Sequence, residues 1–168
     1  MKIMNKFQKK LANRKEDNKG FSLVELIIVI AIMAILVGIV GTQVLPYINK
    51  SKEAKDLQII NSYCTAAATA YASNAEKIST TASFDVDVYS STPLADDATN
   101  KKPLKTLQDE IKTLTGYNEL NNLTDAMGST KGKGINKVTV TFDVPHKKIT
   151  AQAYKGTDKV FDEVVTQL

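Results

Sequence analysis

The sequence predicts an α+β protein: a long N-terminal helix, half membrane-length and apolar and half amphipathic, packed on a small C-terminal antiparallel β-sheet. Three observations carry this. Gly20 to Gly41 is an apolar run in which only Ser22 and Glu25 are polar, and a bilayer core of ~30 Å needs ~20 such helical residues. Leu57, Ile60, Cys64, Ala67, Tyr71, Ala75 and Ile78 then recur every three or four residues, one face of an α-helix. Near the end, Val138, Val140 and Phe142, then Ile149, Ala151 and Ala153, alternate with polar residues as strands do.

Length and charge bound what the chain can be. Its 168 residues allow one modest domain and an extension. The net charge of +4 is uneven: residues 1–20 hold seven basic against two acidic groups, and the remainder is close to neutral. The basic pI therefore belongs to a leader, and no specific nucleic-acid partner follows from it. The single cysteine, Cys64, makes no intrachain disulfide and reads as a small buried residue on a helix.

The leader, residues 1–20, is basic and ends in Lys19-Gly20 against the apolar run. Positive charge on that flank keeps it cytoplasmic and sends the chain after Gly41 outward. A secretory signal would have a shorter apolar region and a small-residue cleavage site just after it, and neither is present. An uncleaved signal anchor explains the charge and the length but leaves Glu25 without a purpose, although an acid inside such a segment costs energy.

Gly20-Phe21-Ser22-Leu23-Val24-Glu25, followed by Leu26-Ile27-Ile28-Val29-Ile30-Ala31, closely resembles the cleavage and methylation signature of type IV prepilins. The resemblance implies a membrane peptidase that cuts between Gly20 and Phe21 on the cytoplasmic side and then methylates the amino group of Phe21. Cleavage leaves an ammonium beside lipid, with Glu25 four residues on, about one helical turn away. In a stack of such helices the carboxylate of one subunit can meet the ammonium of the next, an attraction of ~4 kcal/mol at 4 Å and an effective dielectric near 20. On this reading Glu25 sets the axial register of a filament.

The helix is expected to run from about Phe21 to about Lys77, roughly 85 Å, with Lys52, Lys55, Asp56, Asn61 and Thr65 on its solvent side. Gly38, Gly41 and Pro46 interrupt it, since proline removes a helical hydrogen bond. Two readings stand here: a simple kink at the membrane edge, or, as the family implies, a stretch between Gly38 and Pro46 that melts on entering a filament.

After Ser79 the chain leaves the helix. Phe84 to Val88 alternates as a short strand or extended loop, and Ser90 to Pro103 reads as a loop. Asp85, Asp87, Asp96 and Asp97 lack the spacing of a calcium loop and read as solvated charge, so no metal or other cofactor is expected. Leu104, Leu107, Ile111 and Leu114 form a helical stripe stopped by Gly116, and a shorter helix is expected over Glu119 to Met127. Lys131-Gly132-Lys133-Gly134 fails the phosphate-loop spacing and reads as a mobile link. A hairpin and a third strand around Val160 to Thr166 close the chain, with His146 in a surface turn.

The domain plan is a leader (1–20), an apolar transmembrane or filament-core helix (21–45) and a globular part (46–168). The globular part divides into helix (46–78), connecting region (79–137) and β-meander (138–166). No paired acids, Ser/His/Asp, Cys/His or zinc pattern stands out, so a non-enzymatic structural subunit is expected. The resemblance implies a homo-oligomeric helical filament, a prepilin peptidase/methyltransferase and a pilus assembly platform as partners. It places the chain as a single-pass inner-membrane protein first and an extracellular filament afterwards. A pseudopilin of a type II secretion or DNA-uptake system is the alternative. Many pilins close their C-terminal part with a disulfide loop, which one cysteine cannot form, and that points to a disulfide-free pilin or pseudopilin subfamily. A signal-anchored binding or enzymatic domain is the remaining alternative.

Overall fold

The computed structural model describes residues 20–90, 94, 96 and 103–168. Most of the leader, most of the Ser90–Pro103 loop and Asp97 lie outside the described residues. The chain divides into two units, Met1–Leu45 and Pro46–Leu168. The expected α+β architecture is found, with an N-terminal helical segment from Leu23 to Ser73 and a C-terminal antiparallel sheet of five strands.

In the first unit, α1 spans Leu23–Ile39 and buries no residue. Its backbone needs no outside partner, yet its Leu, Ile, Val and Met side chains have none of their own. From Val40 to Val44 the hydrogen bonding widens to a π-turn, and Leu45 N–H reaches back to Val40 O. Thr42 Oγ1 donates to Gly38 O at 3.0 Å. Pro46 lacks the N–H that an α-helix would direct to Thr42 O. A hydroxyl bonding back to the helix and a downstream proline both disturb the regular ladder.

The second unit is built on α2, Leu45–Ser73, which buries Asp56, Ile60, Tyr63, Cys64, Ala66, Ala67 and Ala70. The sheet comprises β1 (Phe84–Asp87), β2 (Lys137–Asp143), β3 (Lys148–Lys155), β4 (Asp158–Lys159) and β5 (Val164–Gln167), all pairs antiparallel. Register places Val86, Val140, Ala151 and Val164 in one row across the sheet. The inward residues of β1, β2 and β3 share one core cluster with the buried face of α2. Phe142 stacks on Phe84 at 4.9 Å and on Tyr71 at 5.7 Å between ring centres. Tyr63 hydrogen-bonds Tyr89, whose hydroxyl donates to Tyr117 O at 2.8 Å; burial pushes the Tyr63 hydroxyl far up and that of Tyr89 to about 12.

Three helices, α3 (Leu104–Thr115), α4 (Leu120–Ala126) and the single turn α5 (Thr130–Lys133), fill the connection. Gly116, at φ 78°, closes α3 in the left-handed conformation that glycine adopts without a Cβ clash. Buried Gln108 donates to Asp87 O and Val88 O, tying α3 to the end of β1.

Several sequence expectations need correction. The α-helix ends at Ser73, followed by a 3-10 turn over Ala75–Lys77 rather than α-helix to Lys77. Asn74 is the reason: its side chain bonds Ala70 O and the Glu110 carboxylate, holding the chain end in place. Ala75 is therefore exposed, whereas Tyr63 and Ala66 belong to the buried face. Phe84–Asp87, open between strand and loop in the sequence, is an edge strand on β2. The third C-terminal strand is split: β4 and β5 both pair with β3, Val160 N still donates to Ala153 O, and Phe161–Glu163 leaves the ladder between them, with Gln152 Nε2 donating to Phe161 O.

The largest correction concerns Asp56, expected in solvent and found 1 % exposed. Its carboxylate accepts from Gly128 N at 2.8 Å, from Ser129 N at 2.9 Å and from Ser129 Oγ. Ser129 also caps α5, accepting from Gly132 N at 2.9 Å. Lys131-Gly132-Lys133-Gly134 is thus an anchored helical turn instead of a mobile link. Gly132 is required there, because a Cβ would lie 2.4 Å from Asp56 Oδ2 and 2.8 Å from Met127 Cβ.

Candidate functional site: the N-terminal processing and assembly segment

Gly20, Phe21 and Ser22 precede the first helical residue, so the Gly20–Phe21 bond lies outside the helix. Phe21 is 88 % exposed. A Cβ added at Gly20 would meet nothing within 4 Å. Among the described residues, no packing demands glycine at that position.

Ser22 is the N-cap of α1, with extended backbone (φ −65°, ψ 141°). Its Oγ accepts from Val24 N at 3.4 Å, while the Glu25 carboxylate accepts from Ser22 N at 2.9 Å. This is a capping box, which satisfies donors that a helix start leaves open and places an acid at the positive end of the helix dipole. The Ser-x-x-Glu spacing signals it in the sequence, but the resemblance to a processing motif draws attention to the acid alone. Glu25 therefore has a local partner in the isolated chain. Cutting the Gly20–Phe21 bond would create an ammonium on Phe21, one residue from the N–H that Glu25 already holds.

Beyond the cap, α1 offers a wholly apolar surface: Ile27, Ile28, Ile32, Ile35 and Leu36 are all about half exposed or more. Each large apolar side chain gains ~1.5–3 kcal/mol on full burial. The helical segment is long and apolar enough to cross a membrane. Gly41 lies within the π-turn and Gly38 and Pro46 lie on either side of it, and neither glycine is crowded. Among the described residues no cluster of His, Cys, Asp and Glu is arranged to hold a metal ion. Cys64 is buried, with Sγ 3.1 Å from Val164 O, and burial raises its thiol to about 11, so it is not poised as a nucleophile.

No curated protein and no solved structure matches the chain significantly. The family model of the prokaryotic N-terminal methylation motif matches residues 17–41, which takes in the Gly20–Phe21 bond, the capping box and α1. That segment of the chain is the signature of type IV pilins and prepilins.

Proposed function

We propose that the chain is a structural subunit of a type IV pilus, processed at Gly20–Phe21, methylated on Phe21 and assembled through its N-terminal helix. One observation carries the reading: a methylation motif spans the Gly20–Phe21 bond and a capped apolar helix in which no residue is buried. In the membrane, lipid covers that surface; in a filament, the same helix of neighbouring subunits does. Glu25 fits both states, bonded to its own Ser22 N–H before assembly and drawn to the Phe21 ammonium of a neighbour afterwards. The exchange offsets the cost of holding a charge among apolar helices. The stretch from Gly38 to Pro46 is the place for the helix to yield on assembly, since its α-helical ladder is already broken by the π-turn. The second unit provides the outward surface, and a peptidase and an assembly platform act on the first.

The test is a deletion strain examined by electron microscopy together with the sheared surface fraction of the parent. Long fibres that contain this chain, absent from the deletion strain, are the expected result. Absent fibres with loss of secretion or DNA uptake would instead mark a pseudopilin.

A further inference from the structure

Between β4 and β5 the chain carries more residues than the strand it pairs with. From the Lys159–Tyr154 pair to the Val164–Ala151 pair, β3 advances three residues and the opposing chain advances five. Val160 still bonds to Ala153 O, so Phe161, Asp162 and Glu163 stand against Gln152 alone. An excess of one residue would turn β5 over; an excess of two leaves each side chain on the face it would have had. A second register is therefore open to this sequence. In it the strand runs straight through, Asp162 lies opposite Ala151, and Val164 lies opposite Ile149. The alternation of Val160, Asp162, Val164 and Thr166 is the same in both.

We infer that Asp162 is the register lock of the C-terminal strand: its carboxylate makes the chain bulge at Phe161–Glu163 instead of pairing straight through. Ala151, Ile149 and Cys64 are fully buried. Val164 now occupies the place beside them, with its carbonyl 3.1 Å from Cys64 Sγ. The straight register would put the Asp162 carboxylate there, and burying a carboxylate without a partner is costly. In the bulge Asp162 is exposed, while Phe161 packs against the core cluster and its carbonyl accepts from Gln152 Nε2 at 2.9 Å. The lock also decides where the chain ends. Leu168 N donates to Lys147 O at 2.9 Å, and Leu168 packs against the core. In the straight register Thr166 would face Lys147, and Gln167 and Leu168 would run past the sheet. All of these residues belong to the second unit, so the lock does not depend on the assembly proposed for the first.

Disulfide trapping of the full chain in a glutathione redox buffer, with Cys64→Ala to remove the native thiol, reads the register. Thr150→Cys/Val165→Cys lies directly across the ladder in the bulged register, and Lys148→Cys/Val165→Cys does so only in the straight one. Directly opposed residues suit a disulfide and diagonal ones do not. The first pair is expected to close roughly tenfold more readily than the second. Asp162→Val should raise closure of the second pair roughly tenfold, and Asp162→Ala, which adds no bulk, should act in the same direction. Glu163→Val removes an acid that faces outward in the straight register, and should leave both pairs as they were. Unchanged closure in both Asp162 variants, or an equal effect from Glu163→Val, would overturn the lock.

Discussion

Glu25→Val is expected to leave cleavage at Gly20 intact and to lower filament yield by more than an order of magnitude. Two effects separate in this variant. Loss of the acid from the capping box costs ~1 kcal/mol of helix-start stability, which the rest of a long apolar helix tolerates. In the proposed filament, loss of the charge facing a neighbouring Phe21 ammonium would remove up to ~4 kcal/mol at each subunit contact, and would do so at every step of assembly. Membrane insertion should not suffer, because valine suits lipid better than a carboxylate. Glu25→Gln sharpens the distinction: its amide oxygen can still accept from Ser22 N–H, so the helix start is kept while the charge is lost. Both variants should therefore assemble poorly, and sheared-fibre yield together with the mass of the membrane-bound chain measures this. Normal fibres from Glu25→Gln would place the importance of Glu25 in the cap and remove its role between subunits.

Asp56→Ala is expected to lower the unfolding free energy of the second unit by ~4 kcal/mol. The carboxylate accepts three hydrogen bonds in a buried place, and its removal strands the N–H groups of Gly128 and Ser129. An unsatisfied buried donor costs ~1–3 kcal/mol, and bonds to a charged acceptor are the stronger kind. The loss should fall on α4, α5 and their junction with α2, because that junction is what Asp56 fastens. Gly132→Ala should also destabilise, since its Cβ would meet Asp56 Oδ2 at 2.4 Å. In the Asp56→Ala background the alanine should cost less, as one of its two clashes is gone, so the pair is non-additive. Urea unfolding of the four proteins measures this; a single-variant loss below ~1 kcal/mol would mean that water replaces the carboxylate without penalty.

The same two residues illustrate how much of the protein can be read from its sequence. Glu25 stands out because an acid in an apolar run is costly, and the residues around it form a compact local motif. Its cap has a sequence signal, the Ser22-x-x-Glu25 spacing, but the resemblance to a processing motif gives the acid another role and the cap emerges only in the structure. The apolar run and the hairpin were legible for a similar reason: periods of 3.6 and 2 are local properties of a chain. Asp56 was not. On a helix bearing Lys52, Lys55 and Asn61 it looks like one more solvated charge, and its donors lie more than 70 residues away in sequence. The lysine- and glycine-rich stretch at 131–134 looked mobile because nothing local shows that Gly132 lies against that carboxylate. The split between β4 and β5 was hidden in the same way, as Val160 to Thr166 keeps an alternation that register with β3 alone interrupts.

The central claim, that Gly20–Phe21 is a processed bond, is tested most directly by mass spectrometry of the chain purified from its own cells. The account predicts a mature protein that begins at Phe21 with one methyl group on its amino nitrogen. A chain that keeps residues 1–20 would contradict it.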